Sequence, residues 1–226
     1  MNSHTTKRLR QFDPDRESAV KELEEYRVFL SSKEAFTERD ELLDFFQKHK
    51  QLIALLGCLH EVRLINRIGW EFDIFGAYKA DFVSGDSRRC SYCFIEFQDA
   101  TRNSIFRGER ANGIWAHSFE EGFGQIIDWA YELVDNEGRE EFDNRFEAKK
   151  IVSTFVVVVG RTCFLNKADY KRFDWRRRHI TLGGYQIKCL TFDELFEEYE
   201  NLINFLPVVA EADKTSESKP LLGKSS

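Results

Sequence analysis

The stretch IVSTFVVVVG, residues 151–160, restricts the fold more than any other part of this 226-residue chain. It is almost continuously apolar and rich in β-branched side chains, which suit extended backbone and crowd a helix. Its length fits a strand and falls short of the roughly 20 residues that a membrane-spanning helix needs. A strand solvated on one face alternates polar and apolar residues, so a run that is apolar throughout needs cover on both faces. The chain is therefore expected to hold a central strand with helices above and below it.

The segments on either side fit that layering. The N-terminal residues are polar and contain Pro14, which predicts a flexible N-terminus over 1–16. From about Glu17 the pattern turns helical, with Ala19, Leu23, Tyr26 and Leu30 on one face. A second helix is expected to open at TERD, with Thr37 as N-cap and Asp40 three residues on in a capping box, and to stop at Gly57. EVRLINRIGWEFDIFGAY, KADFVSG and YCFIEFQ then read as successive antiparallel strands, with Gly76 and SGDSRR as turn material. A helix is expected from Ser118 through GFGQIIDWAYELV. Residues 135–147, DNEGREEFDNRFE, look too charged for a core element and are expected to connect.

After the apolar strand come a short helix capped by Asn166, the strand YQIKCL, and a helix capped by Thr191 and Glu194 that should end before Pro207. A disordered tail is expected over 207–226. The order predicts a single domain over 17–206, with a helical N-terminal part at 17–57. Its class is α/β (α+β), a mixed central β-sheet flanked by helices.

Composition narrows the function. Hydrophobic residues make up 42% and aromatics 14%, which excludes a disordered chain. A net charge of −6 argues against binding nucleic acid through bulk electrostatics, while a local basic groove stays compatible with it. Of five cysteines only Cys90 and Cys93 are close, and a zinc site would need a second such pair, so reduced cysteines are expected. The opening residues carry charge without an apolar stretch, and no apolar run is long enough to span a membrane. These features predict a soluble cytoplasmic protein.

Three acids stand among apolar strand residues: Asp73 in WEFDIF, Asp81 in KADFV and Glu96 in FIEFQ. A carboxylate in such surroundings costs free energy unless something offsets its charge, and a divalent cation does so. Mg²⁺ takes one or two carboxylates together with carbonyls and waters. Asp81 and Glu96 on neighbouring strands could share one ion, which would activate a water and offset charge on a scissile phosphate. Gln98 lies on the strand face of Glu96, because side chains alternate with a period of two. The plainer alternative is that these acids point outward from a half-buried sheet.

The segment ADFVSGDSRRCSYCFIEFQ resembles the PD-(D/E)XK nuclease signature, an Asp on one hairpin strand followed by acid-x-Lys on the next. More specifically, the chain resembles the C-terminal nuclease domain of the Shedu anti-phage defence proteins over residues 37–206. The blocks that carry the likeness are ELLDFFQKHKQLIALLG, KADFVSG…CFIEFQDA, GFGQIIDWAYEL, VVVVGR and KCLTFDELFEEY.

The resemblance implies a restriction-endonuclease-like fold with Asp81 and Glu96 as metal ligands and Gln98 in the place of the lysine. It also makes Glu41 the auxiliary acid of the preceding helix and Gln125 the glutamine of a Gln-x-x-x-Tyr pattern, with Trp129 at the aromatic position. Without the family, Glu41 reads as a first-turn acid favoured by the helix dipole, and Gln125 as a polar position on a packed helix. Glutamine at 98 departs from the motif: it can orient by hydrogen bonds but offers neither charge nor a proton near neutrality. Slow or conditional cleavage is one consequence.

Basic candidates for a substrate follow. TRNSIFRGER supplies Arg102, Arg107 and Arg110 just beyond the Glu96 strand. DWRRRH gathers Trp175, Arg176, Arg177, Arg178 and His179, a mixture suited to a single-stranded backbone with base stacking. Both runs also read as solvated surface charge. Arg161 could pair with a buried acid, and His49 and His117 receive no role.

The expectation is a metal-dependent nuclease that hydrolyses DNA with Mg²⁺ or Mn²⁺, in defence against phage or foreign DNA. The alternative is a catalytically weak or inactive module of the same fold that binds nucleic acid or a protein. A short chain of this family is expected to be controlled by homo-oligomerisation or by a separate regulatory protein.

Overall fold

A computed structural model describes residues 8–60, 62–108, 113–182 and 185–216. Among these, six strands form a mixed sheet in the order β1-β2-β3-β4-β7-β10. In chain order the elements begin with β1 (Arg10–Gln11), α1 (Arg16–Ser32), a π-helical segment (Glu38–Leu43), α2 (Asp44–Lys48) and α3 (Lys50–Leu59). Next come β2 (Arg67–Ile74), β3 (Tyr78–Asp86), β4 (Ser91–Phe97), the short β5 (Phe106–Arg107) and β6 (Ile114–Trp115), α4 (His117–Asn136) and α5 (Glu140–Phe146). The chain continues with β7 (Val152–Val158), α6 (Lys167–His179), β8 (Thr181–Leu182), β9 (Tyr185–Gln186), β10 (Lys188–Leu190) and α7 (Phe192–Ser216).

Strands β2, β3 and β4 form an antiparallel meander. β7 lies parallel to β4 on one side and to β10 on the other. Both faces of β7 are covered. Val156 and Val158 pack with α1, α2, α3 and α7, while Phe155, Val157 and Val159 pack with α4, α5 and α6. This is the two-sided burial that its apolar run requires. Full burial of one such side chain stabilises by roughly 1.5–3 kcal/mol. Among the described residues, no helix is long and apolar enough to cross a membrane.

Helix α1 buries the four residues expected, Ala19, Leu23, Tyr26 and Leu30. Other local readings are corrected. The segment expected to be loose contributes β1, which pairs with the edge of β2, and Arg10 lies over the Trp70 ring at 4.2 Å. Residues 1–7 lie outside the described part. At TERD the backbone opens into a π turn, with Leu42 N–H donating to Thr37 O at 3.1 Å. The wider turn brings Glu41, not Asp40, back to accept from Thr37 N–H at 2.8 Å.

Gly57 does not stop α3, which continues to Leu59. Its requirement is close approach: a Cβ there would lie 2.2 Å from Ser84 Oγ on β3. The charged stretch 135–147 contains α5, because Phe142 and Phe146 are both buried at helical spacing while Glu140 and Glu141 are exposed and Arg145 turns in to Asp73. YQIKCL is divided, with β9 pairing β8 and β10 joining the main sheet around buried Ile187. Helix α7 runs through Pro207 to Ser216; Ala210, Glu211, Ala212 and Lys214 beyond it favour helix. The remainder of the expected tail lies outside the described residues.

Candidate functional site

Strands β3 and β4 pair from Phe82↔Ile95 to Asp86↔Ser91, and Asp81 and Glu96 follow one step beyond the first of these pairs. Alternation decides their direction. Phe82 and Ile95 belong to the layer of α1, α3 and α7, so Asp81 and Glu96 take the opposite face, under α4. Asp81 Oδ2 accepts from Phe97 N–H at 2.8 Å. Gln98 Nε2 donates to Glu96 Oε1 at 2.9 Å, and both side chains are buried, at 3% exposure. Glu96 Oε2 is buried and meets no hydrogen-bond partner among the described residues. Gly122 of α4 gives Gln98 its room, since a Cβ there would stand 3.2 Å from Gln98 Cγ and 3.0 Å from Val157 Cγ1.

Burial raises the Asp81 carboxyl to about 7, with the charge of Glu38 adding to it while the Phe97 amide and Arg39 oppose the rise. Burial, and then the charges of Asp81 and Glu38, push Glu96 well above the ordinary carboxylate range. Glu38 is itself raised by burial and by Asp99. The site therefore favours the protonated, neutral form of these acids, because the protein itself does little to offset their charge. Among the described residues no group of three or more His, Cys, Asp or Glu side chains is arranged to hold a metal ion. A divalent cation on two carboxylates and water does not need a third. The unpartnered Glu96 Oε2 beside Asp81 suits such an ion.

The remaining candidates divide. Glu41 turns away from these acids, pairing with Lys33 and capping Thr37, and the Lys33 contact lowers its carboxyl. Glu38 takes its place near Asp81. An isolated bridge between Phe36 and Ala100 sets Glu38 beside Asp99, and Glu38 N–H donates to Asp99 Oδ1 at 2.8 Å. Sequence reasoning treated TERD as a cap and missed Glu38, Arg39 and Asp99. The available signal was an acid directly after E-x-Q. Gln125 is half-buried on α4, one turn beyond Gly122. Asp73 points to α5, where Arg145 Nη1 holds it at 2.9 Å.

Arg102 covers the Phe164 ring at 5.1 Å, Arg107 is exposed on β5, and Arg110 lies outside the described residues. Arg176 is held by both oxygens of Glu120, at 2.7 and 2.9 Å. Arg177 points inward to Asp174, Glu194 and the Cys189 carbonyl. His49 bridges the Phe45 carbonyl and Glu25 inside the helical layer, and exposed His117 lies 3.4 Å from Glu121.

Arg161, directly after the turn that ends β7, finds the acid its position called for. Its Nε donates to both Asp193 oxygens at 2.9 Å, and Nη1 reaches the carbonyls of Leu30, Lys33 and Glu34. GR and TFDEL are thus two halves of one knot, which ties α1 and α7 to the end of the central strand.

The family model described as Shedu protein SduA, C-terminal, matches residues 35–196. That span opens just before the Phe36 bridge and closes just after the Arg161–Asp193 knot. No curated protein matches the chain significantly.

Proposed function

The chain belongs to the Shedu SduA C-terminal family, whose membership implies a role in anti-phage defence, and on that premise we propose that it is a metal-dependent nuclease acting on DNA. The observation that carries this reading is the buried Glu96 Oε2 beside Asp81, unpartnered among the described residues, where no lysine or arginine of those residues is hydrogen-bonded to either acid. Asp81 and Glu96 would hold Mg²⁺ or Mn²⁺. A bound divalent ion would acidify a water and offset charge on the scissile phosphate.

The chain's own groups supply the rest. The Phe97 amide fixes one Asp81 oxygen and Gln98 fixes one Glu96 oxygen, and a bound cation would replace the proton that links the two carboxyls to each other. Gln98 orients and cannot exchange a proton, so the proton of the attacking water goes to another group. Glu38, raised by burial and by Asp99, would take it. Arg39, exposed and close enough to ease the Asp81 charge, would meet the substrate phosphate.

Gln98 also favours a second reading, a module that binds nucleic acid with little cleavage. One experiment separates the two. Linear duplex, single-stranded and nicked circular DNA are incubated with wild type, Glu96→Gln and Gln98→Lys, with Mg²⁺ and with Mn²⁺. The nuclease reading expects cleavage that Glu96→Gln reduces by roughly 10²-fold or more. It also expects Mg²⁺ to raise the melting temperature of wild type and not of Glu96→Gln. Intact DNA in every wild-type lane, with the melting temperature indifferent to either ion, would overturn it.

A further inference from the structure

Helix α6 carries two adjacent rows of side chains beside the start of α4. Trp175 and His179 stack in one row, with centroids 4.2 Å apart and planes 16° apart. Arg172 and Arg176 form the other, with their guanidiniums 5.5 and 4.4 Å from the Trp115 ring centre. Together with Lys171 these side chains line a cleft of 660 Å³. Such a volume lies within the range of roughly 300–1,000 Å³ usual for ligand clefts.

Packing accounts for part of this arrangement. Glu120 and Asp169 hold Arg176 and Arg172, and cations in the last turn favour the C-terminus of α6. Packing does not account for Trp175, which is 63% exposed and whose apolar area faces water. Among the described residues no acid lines the cleft, although the chain carries a net charge of −6. Flat aromatic and guanidinium surfaces beside an exposed ammonium match the chemistry of a base with its phosphate.

We propose that this cleft receives an unpaired base of single-stranded nucleic acid, stacked on Trp175 with its phosphate near Lys171. The proposal deepens the nuclease reading and rests on it for the identity of the ligand. The two places are linked through α4: Glu120 holds Arg176 at the cleft, and Gly122, two residues on, touches Gln98 beside the carboxylates. The cleft and the carboxylates are therefore built against the same helix. Intact duplex keeps its bases stacked inside and must expose one before it can enter.

The test uses the full chain in EDTA, so that nothing is cut, with fluorescently labelled oligo-dT, oligo-rU and a blunt DNA hairpin closed by a non-nucleotide linker. Oligo-dT is expected to bind at least tenfold more tightly than the hairpin and to quench tryptophan emission. Trp175→Ala should weaken oligo-dT binding by roughly tenfold or more, and Trp175→Phe should restore most of it. Lys171→Ala should make the salt dependence shallower by about 0.7 in log–log slope, the value for one phosphate on a single strand. Oligo-rU binding like oligo-dT would uphold the proposal and show that the sugar is not read.

Equal affinity of wild type and Trp175→Ala for oligo-dT, or of the hairpin and oligo-dT for wild type, would overturn the proposal. The nuclease reading fails separately. If wild type cuts no DNA with Mg²⁺ or Mn²⁺ yet shows the Trp175 dependence, the cleft stands and the cleavage does not. If Glu96→Gln abolishes cutting while Trp175→Ala binds as wild type, the cleft falls alone.

Discussion

Two charged groups are buried near the ends of neighbouring parallel strands, and the protein treats them oppositely. Beyond β7, Arg161 is 8% exposed and fully engaged by Asp193 and three carbonyls. At the end of β4, Glu96 is 3% exposed and receives one amide, a second acid, and nothing on Oε2 among the described residues. The first arrangement stabilises the junction of α1, β7 and α7. The second costs stability, and such a cost persists where the site has work to do. The comparison teaches that burial of charge does not by itself single out a candidate site; what separates Glu96 from Arg161 is the absence of compensation.

The sharpest way to break the comparison is to remove the compensation that exists. Asp193→Ala leaves a buried guanidinium without its carboxylate, and a loss of about 3–5 kcal/mol is expected in urea unfolding. A loss below about 1 kcal/mol would mean that the carbonyls alone satisfy Arg161, and the contrast would weaken.

The carboxylate pair should respond the other way. Glu96→Gln is expected to gain roughly 1–3 kcal/mol at pH 8, because the amide is neutral without having to hold a proton or bury a charge. The gain should shrink as pH falls, since the wild-type acid then protonates anyway. The direction follows from the raised folded-state values. The folded chain keeps protons on Asp81 up to about 7 and on Glu96 above the ordinary range, whereas the unfolded chain releases them near 4. Raising pH through that window therefore favours the unfolded chain. Melting temperatures of wild type should fall from pH 5 to pH 8, and those of the Asp81→Asn, Glu96→Gln double variant should stay flatter.

The smallest expected effect belongs to His60, which is buried with neither ring nitrogen partnered among the described residues. Burial lowers it to about 4, so between about 6.5 and 4 the unfolded chain binds the proton and the folded chain does not. Its contribution is lost as pH falls through that range, opposite in sign to the carboxylates. His60→Leu should remove this acid limb and change neutral-pH stability by about 1 kcal/mol or less. An unchanged acid limb in calorimetric scans would show that His60 takes up its proton equally in the folded and unfolded chains.

Local pattern determined much of the molecule. The run at 151–160 required a strand covered on both faces. Alternation put Asp81, Glu96 and Gln98 on one face, and the Thr191–Glu194 box capped α7 as its spacing requires, with Thr191 N–H donating to Glu194 at 2.9 Å. These features are legible because strand alternation and helix capping act between residues close in sequence.

Tertiary structure decided what local pattern could not. It gave the place near Asp81 to Glu38 rather than Glu41, through a π turn and a bridge between Phe36 and Ala100. It buried Phe142 and Phe146 in a stretch whose charge suggested a loop. It turned Arg177 inward while Arg172 and Trp115 came to share a cleft with Trp175. Each outcome depends on which distant segment a side chain meets. Contacts between residues far apart in sequence set the free energy of burying a charge, and no local spacing encodes them.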